Sequence, residues 1–380
     1  MTRRRRPSPL FTAALSVSIA ILALNAATTS DAASGGMTPS DTSSAGATPA
    51  TTPKPFTAVR GDRTSGWLPQ TRSEVLARNG VVATSQPLAA QAGLNILEVC
   101  APKLGVNLAA LGPRSPKYWH LLVEAKKLAY TDLYAYNGDP GFTKVPVERL
   151  ISKAYAAELC GHVDMKKAST PEPKGDPVGG TVYLTVADRW GNMVSFIYSV
   201  YDSFGSGVTV PGYGFVLNDR GALFSLDPKS PNIIAPHKRP FHTLLPGFLM
   251  KDGQPVMSFG LMGGSQQAQG HAQVLVDMID LGANPQAASD AARFTHAQET
   301  NTLDLESNLY DLLGMQLHAL GHKVESANGE DMGGFQAIGY LPPHDGASPA
   351  PSPGHGSDQP IPGVYRAASD HRKDGQAVGW

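Results

Sequence analysis

Residues 179–207 read GGTVYLTVADRWGNMVSFIYSVYDSFGSG, and the fold turns on how this stretch is parsed. Two glycines lead into Thr181, which opens an alternating run through Val182, Tyr183, Leu184, Thr185, Val186 and Ala187 to Asp188. A turn at Trp190-Gly191-Asn192 feeds a second run, Met193 to Tyr201. Period-two alternation on both sides of a glycine-bearing turn predicts a β-hairpin. A threonine hydroxyl is a weak nucleophile unless a base sits beside it, and a threonine at a chain N-terminus carries that base in its own α-amine. Cutting the Gly180–Thr181 bond would create such a residue. Taken alone, Thr181 is also an ordinary β-favouring residue at a strand start.

Downstream, Gly205-Ser206-Gly207 marks a turn, and the loop Pro228–Pro240 runs into Lys238-Arg239-Pro240-Phe241-His242-Thr243. Two strands, Leu244–Met250 and Pro255–Phe259, are expected around Lys251-Asp252-Gly253. The second enters Gly260-Leu261-Met262-Gly263-Gly264-Ser265, which opens an amphipathic helix to about Leu281. Backbone N–H groups of Gly263 and Gly264 at that helix start could face a developing negative oxygen, or the pair could be a plain strand-to-helix turn. A further helix is expected over Pro285–Arg293.

Upstream, Trp119, Leu122, Ala125, Leu128, Ala129 and Leu133 recur at three- and four-residue steps, predicting a core-facing helix over Ser115–Tyr136 with Lys126 and Lys127 in water. Gly138-Asp139-Pro140-Gly141 ends it. A shorter helix is expected over Val147–Leu159, and an alanine-rich one over Pro87–Glu98. The loop Lys166–Asp176 should be exposed and cuttable.

The 380 residues are 41% hydrophobic, enough for a sizeable core, and 31 basic against 32 acidic residues leave no excess for binding nucleic acid. Forty glycines and 31 prolines favour turns over long helices. Cys100 and Cys160 could pair in an oxidising compartment but do not make a disulfide scaffold. With no CxxC and no His/Cys spacing typical of ligands, neither metal nor cofactor is expected. At the N-terminus four arginines precede an apolar run from about Leu10 to Ala27 and small residues at Ser30-Asp31-Ala32. This order matches a secretory signal over 1–33, predicting export to the periplasm or outside the cell without stable membrane insertion. Residues 34–77 read as a low-complexity linker and 341–360 as a low-complexity surface loop.

From Gly179 to about His296, and again over the last twenty residues, the sequence resembles the γ-glutamyltransferase (γ-glutamyltranspeptidase) family of N-terminal-nucleophile hydrolases. The resemblance rests on GGTVYLTVADRWGNMVSF, FGSG, FSLDPKSPN, KRPFHT, MSFGLMGG, AARF and YRAASDHRKDGQAVGW, and is nearer the acylase-like branch than the glutathione enzymes. It implies an α/β fold of four layers, αββα, incomplete here, with residues 78–180 a shortened large-subunit-like region and 181–380 the small-subunit-like catalytic region. It also implies self-cleavage at Gly180/Thr181 into two fragments that stay partners. The Thr181 hydroxyl would then take a γ-glutamyl or similar carboxyl-bearing acyl group from a small-molecule amide and pass it to water or an amine. Ser199 matches the hydroxyl that orients the nucleophile, Gly263 and Gly264 the oxyanion pair, and Thr243 one of two hydroxyls on the donor's carboxylate.

Other positions depart from the pattern. His242 replaces the first of the two hydroxyls. Tyr201 stands for an asparagine, and Arg220 and Leu223 for the glutamine and aspartate that hold the donor's amino end. Without that carboxylate an ammonium group loses its partner, so a glutaryl-type donor fits better. Upstream, the family's large-subunit opening and closing segments join near Gly93–Gly105. The body between them, with the arginine that clamps the donor's carboxylate, is absent. Such a deletion should bare apolar surface. Three functions follow: a γ-glutamyl transferase or hydrolase, an acylase on non-glutamyl amides such as glutaryl amides, or an inactive exported remnant.

Overall fold

A computed structural model describes residues 75–77, 80–81, 88–173, 180–251, 254–343 and 360–379. The predicted signal segment and nearly all of the linker lie outside the described residues, as do 344–359 of the low-complexity loop and 174–179 before the hairpin. In chain order the elements are β1 (Val75–Ala77), β2 (Gly80–Val81), α1 (Leu88–Lys103), α2 (Leu108–Leu111), α3 (Pro116–Tyr136), α4 (Val147–Leu150) and α5 (Lys153–Leu159). Then come β3 (Gly180–Asp188), β4 (Met193–Tyr201), β5 (Gly247–Lys251), β6 (Gln254–Met262), α6 (Gln266–Ile279) and α7 (Pro285–Asp290). The last are β7 (Phe294–Ala297), β8 (Thr302–Glu306), α8 (Ser307–Ala319), β9 (Lys323–Ala327), β10 (Gly334–Leu341) and β11 (Val364–Ser369). Strand pairing among the described residues therefore starts at Val75, two residues before the expected end of the linker.

The predicted hairpin forms as β3 and β4. Asp188 builds its turn: one carboxylate oxygen accepts from the backbone N–H groups of Trp190 (2.9 Å) and Asn192 (3.0 Å), and the other from the Asn192 side chain (2.8 Å). Gly191 supplies a φ of 88° that a side chain would strain. With β2 the hairpin makes a three-stranded sheet, β2-β3-β4. It stacks on a five-stranded antiparallel sheet ordered β1-β11-β10-β6-β5. Thr185 Oγ1 meets Ser258 Oγ across the sheets at 2.5 Å, and Ala187 packs with Ile338, Tyr340 and Tyr365. On the other side of the five-stranded sheet, Met257, Phe259, Leu261 and Phe335 pack against Val274 and Leu275 of α6 and Ala288 of α7. Helices α1 and α3 lie beyond, around Trp119, which meets Tyr118 and Phe294 edge-on. A small sheet, β7-β8-β9, completes that side.

Three layers of an αββα fold are therefore present, and the fourth is missing among the described residues. The outward cross-strand pairs of the hairpin are Val182–Tyr198, Leu184–Phe196 and Val186–Val194. Val182 and Tyr198 are each 57% exposed and Phe196 48%. This is the bared apolar surface that the sequence predicted.

Two expectations are corrected. Lys126 and Lys127 are buried, because α3 is covered on that side too by 296–298 and the segment around Ser169. The Lys126 ammonium donates to the His296 carbonyl (2.7 Å) and Gln298 Oε1 (3.2 Å) and lies 3.8 Å from the centre of the Tyr130 ring. Lys127 bonds Glu124 (2.9 Å) and the Ser169 carbonyl (2.7 Å). The helix expected over Val147–Leu159 is two helices, because Ser152 leaves the helical path to cap α5, its hydroxyl accepting from Tyr155 N–H at 3.1 Å. Cys100 and Cys160 are buried free thiols, and burial pushes the Cys100 thiol far up.

The closing segment is tied down by buried charge. Arg372 grips Glu306 with two bonds (2.5 and 2.7 Å) and also bonds Asp370 (3.1 Å), which pairs with Arg293 at 2.8 Å. The AARF and SDHR motifs thus meet in space.

Acid should loosen this core. Burial, reinforced by Lys126, holds His296 down at about 2, and burial with Lys127 and His120 holds His322 at about 3. An unfolded histidine titrates near about 6.5. Below that value the unfolded chain binds protons that the folded chain refuses, so stability falls with acidity until the folded values are reached. Urea midpoints should drop between about pH 7 and about pH 5, and less steeply in a His322→Gln variant. Identical slopes in both chains would count against this origin.

Candidate active site

The hairpin brings together the residues its sequence singled out, with an irregularity at the bond of interest. Thr181 pairs with Ser199 and Gly180 with Tyr201, so Val200 is an extra residue on β4 opposite the Gly180–Thr181 bond. Tyr201 accommodates the bulge with a φ of 77°, uncommon for a residue with a side chain. A Cβ on Gly180 would sit 3.0 Å from the Asp202 carbonyl oxygen and 3.2 Å from Ser203 Cα, so a side chain before Thr181 would need that backbone to give by a few tenths of an ångström.

Thr181 Oγ1 lies 3.0 Å from Ser199 Oγ. Ser199 Oγ is also 3.3 Å from the Gly180 carbonyl oxygen, and it accepts from Tyr201 N–H (3.0 Å) and Arg220 Nη2 (2.8 Å). The other terminal nitrogen of Arg220, Nη1, donates to Thr243 Oγ1 at 3.0 Å, and the guanidinium lies 5.0 Å from the centre of the Tyr201 ring. Arg220 is only 4% exposed, and among the described residues no carboxylate forms an ion pair with it. Burial lowers its pKa and raises that of the Tyr201 phenol. Asn218 fixes the turn beneath it, accepting from Arg220 N–H (2.6 Å) and donating to the Ser199 carbonyl (3.0 Å).

Gly263 and Gly264 occupy the turn from β6 into α6, with φ of 131° and 57° that favour glycine. Gly333 packs behind: a Cβ on Gly263 would come within 3.1 Å of its Cα. Gly264, Ser265, His242 and Thr243 line a mainly apolar cavity of about 240 Å³, walled by Leu133 and Tyr134 of α3 among others. His242 is exposed, its Nδ1–H donating to the Pro240 carbonyl at 2.7 Å. Thr181, Ser199, Tyr201, Arg220 and Thr243 thus form one bonded network. His242 and Gly264 join it through the cavity that Thr243 also lines, and neither glycine is hydrogen-bonded to Thr181. The Arg220–Ser199 and Asn218–Ser199 bonds were not visible in the sequence. An Asn two residues before an Arg is the one local signal, and it is too common to use.

A hydroxyl beside a second hydroxyl, a fixed positive charge and a glycine turn able to present N–H donors are the parts that acyl transfer needs. For a metal, His120, Glu124 and His322 bring three ligand atoms within 4.8 Å. They do not fit one. The two imidazoles bond each other at 2.7 Å, closer than two tetrahedral ligands of one ion stand, and the Lys127 ammonium already occupies Glu124. His120 Nε2 faces the Asp164 carbonyl at 2.9 Å, so it carries the proton and its Nδ1 accepts from His322.

The gamma-glutamyltranspeptidase family model matches residues 76–380. The glutathione hydrolase-like YwrD proenzyme of Bacillus subtilis is 37% identical over 252 residues, 64% of this chain and 46% of that protein. The acylase ACY 1 proenzyme of Pseudomonas sp. strain SE83 is 36% identical over 66% of this chain and 43% of that one. Among solved structures, cephalosporin acylase from Bacillus halodurans superposes with a TM-score of 0.64 at 35% identity, covering 81% of this chain and 53% of its own. The chain therefore spans about half the length of the curated relatives it matches. No described helix is long and apolar enough to cross a membrane. Fold, motifs and a family match running from the first described strand to the last residue agree: the chain belongs to the gamma-glutamyltranspeptidase family of hydrolases.

Proposed function

We infer that this chain is a self-processing amidohydrolase whose Thr181 becomes both a new N-terminus and the acyl-accepting nucleophile. The observation carrying this is the pairing of Thr181 Oγ1 with Ser199 Oγ at 3.0 Å across a bulge at the Gly180–Thr181 bond. After cleavage the α-amine of Thr181 takes the hydroxyl proton, the acyl group moves to Oγ, and Gly263 and Gly264 offer N–H groups to the tetrahedral oxygen. The cavity beside Thr243 takes the amide's apolar part. The acyl donor is carboxyl-bearing and of glutaryl type. Arg220 stands where the family's γ-glutamyl enzymes hold an amino group, and a buried guanidinium repels an ammonium while favouring an anion. Several relatives are named as proenzymes, in keeping with cleavage in this family. A bare fourth layer and the absent clamping arginine favour the inactive remnant as the competing function.

The purified chain should resolve on a denaturing gel into two fragments, the larger, residues 181–380, beginning at Thr181 by N-terminal sequencing. One intact band after prolonged incubation would leave the remnant. Glutaryl anilides should then be turned over faster than γ-glutamyl anilides; the reverse order would overturn the donor assignment.

A further inference from the structure

We propose that Arg220 is a positioning residue for the self-cleavage step: it fixes Ser199 as a proton donor aimed at the carbonyl that Thr181 attacks. This role rests on Thr181 being the nucleophile.

A serine hydroxyl has one proton and two lone pairs. On Ser199 two N–H donors claim the lone pairs, Arg220 Nη2 at 2.8 Å and Tyr201 N at 3.0 Å. The single proton is left to point outward, to Thr181 Oγ1 at 3.0 Å or the Gly180 oxygen at 3.3 Å. Ser199 therefore has no lone pair free to receive the Thr181 proton and is not the base of the cut. It is a donor, and the neighbouring guanidinium makes it a stronger one.

In the cut, the Thr181 oxygen bonds to the Gly180 carbonyl carbon and the carbonyl π pair moves onto the Gly180 oxygen. That oxygen becomes the acceptor for the Ser199 proton. The carbon–nitrogen bond then breaks and the Thr181 hydroxyl proton passes to the departing nitrogen, leaving an ester and a free amine. Water adds to the ester carbon and the carbon–oxygen bond breaks. The products are a carboxyl group on Gly180 and the restored Thr181 hydroxyl, with one water consumed.

The environment of Arg220 suits this role. It is buried, its guanidinium bonds hydroxyls and faces a ring, and Asp219 acts on it only through space, which leaves the cation without a bonded counter-charge until an opposite charge arrives. The oxygen of the tetrahedral intermediate is such a charge. Thr243 and Tyr201 hold the guanidinium plane, so it need not move during the reaction.

The test follows cleavage over time in the full chain and in Arg220→Met, Ser199→Ala and the double variant, with near-ultraviolet circular dichroism confirming that each folds. Removing one oxyanion donor typically slows a reaction by about 10²–10³, and Ser199→Ala should fall there. Arg220→Met should lose about tenfold or more, and the double variant should match Ser199→Ala within about twofold, because Arg220 acts only through Ser199. Guanidinium ion in the buffer should restore part of the rate to Arg220→Ala, whereas ammonium should not. If the Met variant fails to fold, Arg220→Gln replaces it with the same expectations. Unchanged cleavage in the Arg220 variants, or losses that multiply in the double variant, would overturn this role alone. An uncut wild-type chain would overturn the nucleophile assignment with it.

Discussion

A Thr181→Ala chain should remain a single polypeptide under every condition in which the unaltered chain cuts, while Thr181→Ser should still cut. The alanine removes one half-buried hydroxyl and its bond to Ser199, worth about 1 kcal/mol of stability. The antiparallel ladder of β3 and β4 keeps the register without it. The fold therefore survives while the attacking atom is gone. Ser199 offers no substitute: its lone pairs are taken by Arg220 and Tyr201, and its proton addresses the carbonyl oxygen rather than its carbon. Removing a nucleophile from a catalytic unit costs on the order of 10⁴-fold or more, so intact-mass measurement over days should find no fragments. Fragments forming at the normal rate would place the nucleophile elsewhere.

Arg372→Met should cost about 3–5 kcal/mol of folding stability, the usual penalty for removing one partner of a buried ion pair. The loss arises because Glu306 and Asp370, both completely buried, would each keep a negative charge with fewer partners. Arg293 would remain as the main counter-charge for Asp370. Asp370 is now held well below the usual carboxylate range: burial pushes it up, but Arg293 and Arg372 together outweigh burial. Its contribution to stability is present above the unfolded value near about 4 and fades as pH falls toward the folded one. Urea unfolding at neutral pH, monitored by circular dichroism, measures the difference. A loss below about 1 kcal/mol would mean that water reaches this cluster, as at an exposed pair.

The parts of this molecule that local pattern controls were legible in its sequence. The spacing of Trp119, Leu122, Ala125 and Leu133 marked α3 to within a residue of its start. A hairpin turn at residues 189–192 sets the pairing that puts Ser199 opposite Thr181, whereas in the sequence Ser199 stands out only through the family resemblance. What was hidden depends on distant segments. Lys126 and Lys127 sit on what the helical period marks as the wet face, and apart from Glu124 the acceptors that meet them lie 42 to 172 residues away. His120 and His322 are 202 residues apart. Arg220 stands out in the sequence by its position, yet its grip on Ser199 depends on a turn fixed by Asn218 and by bonds of Asp219 to the end of β4. Strand β8 is short and almost wholly buried, so it lacks the alternation by which half-buried strands are recognised, and β7 and β9 span only four and five residues.

The bare outer face of the hairpin also bears on timing. A cooperative unit packed on one side only opens at lower free energy than one enclosed on both, and the fraction of time it spends closed multiplies the rate of any reaction that needs it closed. The Thr181–Ser199 pair is on the inner side of such a unit. Any apolar layer that settled over Val182, Phe196 and Tyr198 would therefore hasten self-cleavage without touching a reacting atom, by raising the occupancy of the closed hairpin. On the reading that Thr181 cuts the chain, the pace of the cut is set from the face of the sheet opposite the chemistry.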